Sequence, residues 1–166
     1  MATTTEKFDS KGGFAIGKTV IVDEDRNAKD FNTLEVKNRH FTDSSQTRYI
    51  LRGLNTSTLD LDGLGTKIPI ANSTLNFVTG NIIAVNDSGT VYAVKFETAV
   101  SCDGSGNVNI MSSFQTVIKD DIPSGETWSI EPTGGTNVFS YNTVRAGTTA
   151  TIKWVSSTEV ISIAWA

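Results

Sequence analysis

Apolar and polar residues alternate along most of the chain after residue 45, with the period of two that is typical of β-strands. In the run TVYAVKFETAV, Tyr92, Val94 and Phe96 share one face, while Lys95 and Glu97 lie on the other. Apolar residues at helical spacing are nearly absent. Runs of this kind recur at short intervals, so the pattern predicts a chain built from many short strands.

Turn signals separate these runs. Glycine supplies the positive φ that tight turns need, and Asp or Asn favours the start of a turn. Pro69 has no amide hydrogen to donate, which places its strand at an edge or a bulge. Even spacing of strands and turns predicts an all-β fold, an antiparallel β-sandwich that is jelly-roll-like. The turn signals are Asp62-Gly63, Asp87-Ser88-Gly89, Asp103-Gly104-Ser105-Gly106, Pro123-Ser124-Gly125, Gly134-Gly135 and Ala146-Gly147.

Two further runs show which side chains are expected inside. In NVNIMSSFQTVIKDD the predicted inward set is Val108, Ile110, Phe114 and Ile118. At the end of the chain, TATIKWV and TEVISIAWA are predicted to form a closing hairpin joined through Ser156-Ser157. Burial of each large side chain there is worth roughly 1.5–3 kcal/mol. The inward set of this hairpin is Ile152, Trp154, Ile161, Ile163 and Trp165.

The first 45 residues differ from the rest, because they are polar and charge-dense and hold one clear strand-like run, FAIGKTVIV. We therefore predict an N-terminal extended docking arm over residues 1–45 and a β-sandwich domain over residues 46–166. A terminal arm needs a partner to order it. The predicted interface residues are Phe14, Ile16, Val20, Val22 and Trp165.

Length and charge exclude several classes. The chain has 166 residues, a net charge of -4 and a sequence pI near 4.9, which fits one domain with an arm. Nucleic acid is not an expected partner, because phosphate binding needs clustered Lys and Arg. The N-terminus has no apolar signal-peptide core, and no apolar run reaches the roughly 20 residues of a membrane-spanning helix.

The single cysteine, Cys102, excludes an internal disulfide, and it is a weak nucleophile candidate. A catalytic cysteine needs a nearby base, and the only histidine is His40, 62 positions away in sequence. We therefore do not predict cysteine catalysis.

The loop DGSGNVNIMSSF begins like a calcium-binding loop, with Asp103, Ser105 and Asn107 at alternate positions. An EF-hand loop needs Gly at its sixth position and a bidentate Glu at its twelfth, and here those positions hold Val108 and Phe114. A hairpin loop is the favoured interpretation. No metal or other cofactor is predicted.

Paired carboxylates are the remaining catalytic candidates. Asp60 and Asp62 lie two positions apart, on one strand face, and glycosidases use two carboxyls about 5–9.5 Å apart in a cleft. A turn at Asp62-Gly63 is the simpler interpretation. The adjacent acidic residues 23–25 would point to opposite faces of a strand and favour a solvated turn over a metal site. We predict that the protein is not an enzyme.

Four aromatic residues could stack on sugars, but core or subunit contact is favoured for them. Trp165 stands out among the four, because a contact on a terminal strand would also protect a sheet edge. The four residues are Tyr49, Tyr92, Tyr141 and Trp165.

From residue 48 to residue 164 the order of short motifs resembles a β-sandwich module of tail-fibre and other virion proteins of tailed bacteriophages. The motifs are YILRGL, LDLDG, TKIPIAN, IIAVNDSG, VYAVKFETAV, TWSI and AGTTATIKWVSSTEVISI. The opening GGFAIGKTVIVDEDRN is similar to structural proteins of marine T4-like phages. The SCDGSGNVNIMSSF stretch is longer than in that module, and the long shaft of a complete fibre is missing.

The resemblance implies a non-enzymatic structural module of the virion, often trimeric, with no binding positions carried over. Its partners would be other virion proteins, and it would be made in the host cytoplasm. Tail-fibre or tail-accessory placement, with the sandwich projecting toward the host surface, is the leading expectation. Capsid decoration as a head fibre and a carbohydrate-binding module that contacts a host-surface glycan remain open alternatives.

Overall fold

A computed structural model describes residues 14–16, 19–22, 28 and 33–165. Within those ranges the chain forms eleven β-strands and no helix, and every strand pairing is antiparallel. The predicted all-β, antiparallel class is confirmed. The strands are β1 (Phe14–Ile16), β2 (Thr19–Val22), β3 (Thr33–Asn38), β4 (Phe41–Leu54), β5 (Ile68–Pro69), β6 (Thr74–Asn86), β7 (Val91–Cys102), β8 (Val108–Asp120), β9 (Thr127–Gly135), β10 (Val138–Ala146) and β11 (Ile152–Ala164).

The chain divides into two compact units, Met1–Asn32 and Thr33–Ala166. In the first unit β1 pairs with β2, and an isolated bridge joins Val22 to Ala28. The boundary predicted at residue 45 falls inside β4, and β3 already pairs with β4. β3 and the start of β4, which lie within residues 33–45, are therefore strands of the larger unit. The docking role of the N-terminal segment stays a prediction, and most of that segment lies outside the described residues.

The second unit contains two sheets. Six strands lie in the order β3-β4-β11-β6-β7-β8, and three lie in the order β5-β10-β9. β5, which contains Pro69, is an edge strand, as predicted from its missing amide hydrogen. The C-terminal strand, β11, lies in the interior of the large sheet and pairs with both β4 and β6.

The core lies between the two sheets. Alternate residues of β7, among them Tyr92, Val94 and Phe96, are buried, as the sequence pattern predicts. Phe96 on the large sheet contacts Tyr141 on the small one, with ring centroids 5.8 Å apart. Tyr141 and Phe139 of β10 are fully buried. These contacts join the two sheets into a β-sandwich, which confirms the predicted fold.

The predicted C-terminal hairpin is wrong, because β11 is one continuous strand of 13 residues. Ser156 and Ser157 do not turn the chain. Ser156 is buried and bonds to the Thr158 hydroxyl, with 2.8 Å between the two oxygens. Without a turn the alternation keeps its phase, so Ile152, Trp154 and Val160 point inward. The residues that were predicted inward but lie exposed are Ile161, Ile163 and Trp165.

The inward set predicted for β8 is wrong in its second half. Register shifts opposite Ala93/Val94 and Ala99/Val100 show two β-bulges in this edge strand. Each bulge inserts one residue and reverses the alternation beyond it. Val108 and Ile110 face the core side, but Phe114 pairs with Glu97 on the opposite face and Ile118 is exposed.

Candidate functional surfaces

The six-stranded sheet has one face toward the core and one face away from the small sheet, which we call the outer face. Strand pairing places Ile161 beside Phe77 and Ile163 beside Leu75 on this face, and Val36 pairs with Gln46, the β4 neighbour of Ile161. Five apolar residues of this face form a cluster that we call the outer patch. Their side chains are about half exposed to solvent: Val36 59%, Leu75 44%, Phe77 47%, Ile161 48% and Ile163 51%.

Monomeric proteins rarely expose a large contiguous apolar surface, and such surfaces mark interaction sites. The outer patch lies on three strands, β3, β11 and β6, and the polar Gln46 of β4 lies between Val36 and Ile161 in the same row. More apolar residues lie at the other end of the same face, where Val155 pairs with Ile83 and both are exposed. The outer face is therefore suited to bind a protein surface by apolar contact.

A charged band crosses the middle of the outer face. Arg48 on β4 donates to Glu159 on β11 at 2.9 Å, and Lys95 donates to Glu97 on β7 at 2.6 Å. Hydrogen bonds from Gln46 and Arg48 lower the pKa of Glu159. Between the two pairs lies a shallow polar depression of about 190 Å³, lined in part by Thr79. Each charge has an opposite charge within the subunit, so the band is neutral in sum.

Trp165, predicted at an interface, is 56% exposed and its amide donates to the Ser73 carbonyl at 3.0 Å. Its backbone is thus fixed while its indole is available for contact. Phe14, Ile16 and Val20 lie on β1 and β2, and Val22 ends β2 with a half-buried side chain. The interface role of these five residues stays a prediction.

The loop that resembled a calcium site is a hairpin loop held by one carboxylate. Asp103 Oδ1 accepts the amides of Ser105 at 2.8 Å and Asn107 at 2.9 Å, and Oδ2 accepts the Asn107 side-chain amide at 2.8 Å. These bonds, that of the Asn107 side chain above all, lower the pKa of Asp103. Both carboxylate oxygens are engaged in shaping the turn, which supports the hairpin interpretation.

Asp62 has the same kind of role in the β4–β5 connection. Its Oδ2 accepts the Thr66 hydroxyl at 2.6 Å, and its Oδ1 accepts the amides of Leu64 at 2.8 Å and Thr66 at 3.2 Å. The Thr66 hydroxyl is the main cause of the lowered pKa of Asp62. Asp60 Oδ1 accepts the Gly63 amide at 2.8 Å. A glycosidase acid needs a raised pKa, so Asp62 has the opposite character.

These two aspartates line a surface cleft of about 550 Å³ together with Arg52 and Leu54. Cys102, at the end of β7, is fully buried, and burial raises the pKa of its thiol. A reactive cysteine needs a lowered pKa and an accessible thiol. His40 lies in the turn between β3 and β4. The acidic residues 23–25 lie outside the described residues.

Three of the four candidate sugar-stacking aromatics are core residues. Tyr49, Tyr92 and Tyr141 are at most 9% exposed, so their rings offer no open stacking surface. Trp165 remains available. Within residues 33–165 and the shorter described stretches before them, no group of three His, Cys, Asp or Glu side chains is placed to hold a metal ion. The same stretches hold no helix of the length and apolar character needed to cross a membrane.

The outer patch is the main surface that sequence reasoning missed. Its signal was present in TLNFVTGNIIAV, where both alternating sets of positions carry apolar residues. Leu75, Phe77 and Ile83 alternate with the buried Val78 and Ile82. A strand that is apolar on both faces is typical of a sheet that is covered on both faces.

No protein-family model and no curated protein matches the chain. A solved structure with partial likeness is the tailspike protein gp49 from Acinetobacter baumannii bacteriophage Fri1, a capsular polysaccharide depolymerase. The two share 14% identity and a TM-score of 0.39 over 89% of this chain and 23% of that one. A likeness at this level supports no inference about function.

Proposed function

We propose that the chain is a non-enzymatic structural protein of a tailed-bacteriophage virion, which assembles as a homotrimer. One observation carries the assembly part of the proposal: the outer face exposes apolar residues at both ends of the six-stranded sheet, with Phe77 and Ile161 at one end and Ile83 at the other. Such a face is unfavourable in water and favours a subunit that is covered in its working state. The order of motifs that resembles phage virion modules supports the phage assignment.

The non-enzymatic part of the proposal rests on the hydrogen bonds, burial and pKa shifts of the candidate catalytic side chains. Asp62 and Asp103 bind backbone and side-chain donors within their own turns, and their pKa values are lowered. The Cys102 thiol is buried and its pKa is raised. Catalytic groups need the reverse arrangement, with access to a substrate and a pKa matched to proton transfer.

Attachment to the particle is assigned to the N-terminal unit, residues 1–32, and the sandwich projects outward from the particle. The hairpin of β1 and β2 offers backbone groups for pairing with a neighbouring strand. Tail-fibre or tail-accessory placement is the leading form of the proposal, and capsid decoration is its alternative. In both, three linked copies raise the effective concentration of any weak contact with the host surface.

The experiment that tests the virion assignment is immunogold electron microscopy. Purified particles of the phage that encodes the chain would be labelled with antibodies raised against it. Label at one regular position on the particle, tail or head, is the expected result and also decides between the two placements. Label absent from particles, with the protein found only in the soluble lysate, would overturn the assignment.

A host-surface glycan is the second partner class, and Trp165 is the exposed aromatic residue that favours it. Its indole offers a flat apolar surface for a sugar ring. A glycan that raises the thermal midpoint of the wild-type chain but not of Trp165→Ala would support this partner. Equal shifts of the thermal midpoint in both proteins would show that Trp165 does not bind the glycan.

A further inference from the structure

We propose that the outer face of the six-stranded sheet is the surface through which copies of this chain bind one another, with β4 of one copy set against β7 of the next. The inference rests on the proposed self-assembly and adds the surface, the direction of the symmetry axis and the contacting residues. Three observations carry it: the extent of the face, its apolar residues and the position of its charges.

The extent of the face is sufficient for a stable assembly. The five spacings of about 4.8 Å between six strands, and ten residues at about 3.4 Å rise, give a face of roughly 800 Å². In a ring of three, each copy shares this face between two neighbours, and the three faces together cover roughly 2,400 Å², within the range of obligate assemblies. Apolar residues at both ends of the face, such as Phe77 and Ile83, supply the surface whose burial drives association.

Strand order then limits how two copies can face each other. The centre of the face lies between β11 and β6, with β4 and β7 at equal distances on either side. A symmetry axis parallel to these strands keeps each row of residues level with the same row in the next copy. The outer patch then meets the outer patch, with Ile161 of one copy opposite Phe77 of the other.

The charges favour the same axis. Pairing across the sheet puts Arg48, Glu159, Thr79 and Glu97 in one row, on β4, β11, β6 and β7 respectively. With the axis parallel to the strands, Arg48 of one copy faces Glu97 of the next, which is a contact of opposite charges. An axis across the strands would set β4 against β4 and bring Arg48 near its own copy, a contact of like charges. Complementary charges of this kind fix the register of an interface.

Cross-linking tests the surface directly. A short reagent can join a cysteine on β4 of one copy to a cysteine on β7 of the next only where the outer faces of the two copies are in contact. Ser44 on β4 and Ser101 on β7 lie in one row of the outer face with Ile163 and Leu75, and their replacement keeps Arg48 and Glu97. The full-length double variant Ser44→Cys/Ser101→Cys would be treated with a short bismaleimide at micromolar concentration and run on a denaturing gel. Within a subunit the two positions are separated by β11 and β6. A link inside one chain attaches no second chain, so it gives no band at the mass of a dimer or trimer. Native Cys102 is fully buried, and the wild-type chain serves as the control for its reactivity.

The expected result is a covalent ladder from the double variant that ends at the trimer, with no ladder from Ser44→Cys or Ser101→Cys alone. A ladder that ends at the dimer would keep the surface and overturn three copies. Absence of a ladder from a double variant that still has an oligomeric mass by light scattering would overturn the surface and leave self-assembly standing. Monomeric mass of the wild-type chain would overturn both.

A second variant guards against a cross-link that forms by chance collision. Phe77→Asp places a charge in the outer patch, while Val144→Asp places one at an exposed apolar residue of β10 in the small sheet, away from the outer face. We expect Phe77→Asp to abolish the ladder and shift the mass to 17.8 kDa. Val144→Asp should leave both unchanged. An unchanged ladder in Phe77→Asp, with the fold retained by circular dichroism, would contradict the proposed surface.

Discussion

The hydroxyl of Tyr141 on β10 occupies the space beside Gly80 on β6 where any other residue would place its Cβ. A Cβ at position 80 would overlap this oxygen and would lie 2.8 Å from the ring carbon Cζ. Tyr141 is fully buried, and its hydroxyl lies near the Ser156 and Thr158 hydroxyls without a hydrogen bond of ordinary geometry. This contact fixes how closely the small sheet approaches the centre of the large one.

Gly80→Ala is expected to lower the free energy of unfolding by about 1–3 kcal/mol, the usual cost of overpacking a core. The physical reason is that the Tyr141 ring has no free space into which it can move. Chemical denaturation followed by tryptophan fluorescence measures the change. The control is Gly80→Ala in a Tyr141→Phe background, which removes the oxygen overlap but not the ring contact, so the cost should fall without vanishing. An equal cost in both backgrounds would contradict the assigned contact.

Tyr141 also makes stability depend on alkaline pH. Burial raises the pKa of its phenol from 10.0 to about 12. A raised pKa in the fold means that the stabilisation is complete below pH 10 and is lost as the pH rises toward 12. Burial raises the pKa of Tyr49 and Tyr92 in the same direction. The thermal midpoint of the wild-type chain should therefore fall between pH 10 and pH 12, and that of Tyr141→Phe should fall less. Parallel curves for the two proteins would refute this assignment.

Asp103 gives the opposite pH dependence. Hydrogen bonds within its loop hold the pKa of this carboxyl below 3.8, so its contribution is present above that pH and is lost as the pH falls through the lowered value. Asp103→Ala should have a lower thermal midpoint than wild type at pH 7, and the difference should shrink below about pH 4. Thermal unfolding from pH 7 to pH 2 measures it. A difference that stays constant over this range would show that the charged form has no special role.

The two compact units allow a clean truncation. Removal of residues 1–32 leaves every strand of the large sheet and of the small sheet in place, whereas removal of residues 1–45 also deletes β3 and the start of β4. We expect the first truncation to unfold cooperatively near the wild-type midpoint but to be missing from virions. The second should be destabilised, because β4 loses its neighbour β3. Loss of cooperative unfolding in the first truncation would show that residues 1–32 belong to the fold.

How much of this could be predicted from sequence differs between elements. The inward residues of β7 and the edge position of Pro69 follow from alternation and from the missing proline amide. The exposure of Phe114 and Ile118 does not, because a β-bulge changes the phase without a marker in the sequence. Ser156-Ser157 suggested a turn because small polar residues favour turns, but burial and a hydroxyl pair hold them inside a strand. The outer patch was missed because apolar residues were assigned to one face only.

Self-assembly is the central claim, and the molar mass of the full-length chain in solution tests it most directly. Multi-angle light scattering behind size exclusion should give a mass near three times 17.8 kDa. That result would agree with the homotrimer and with an outer face covered by neighbouring copies. A mass of 17.8 kDa at every concentration would contradict self-assembly. The outer face would then be open to a different protein of the particle.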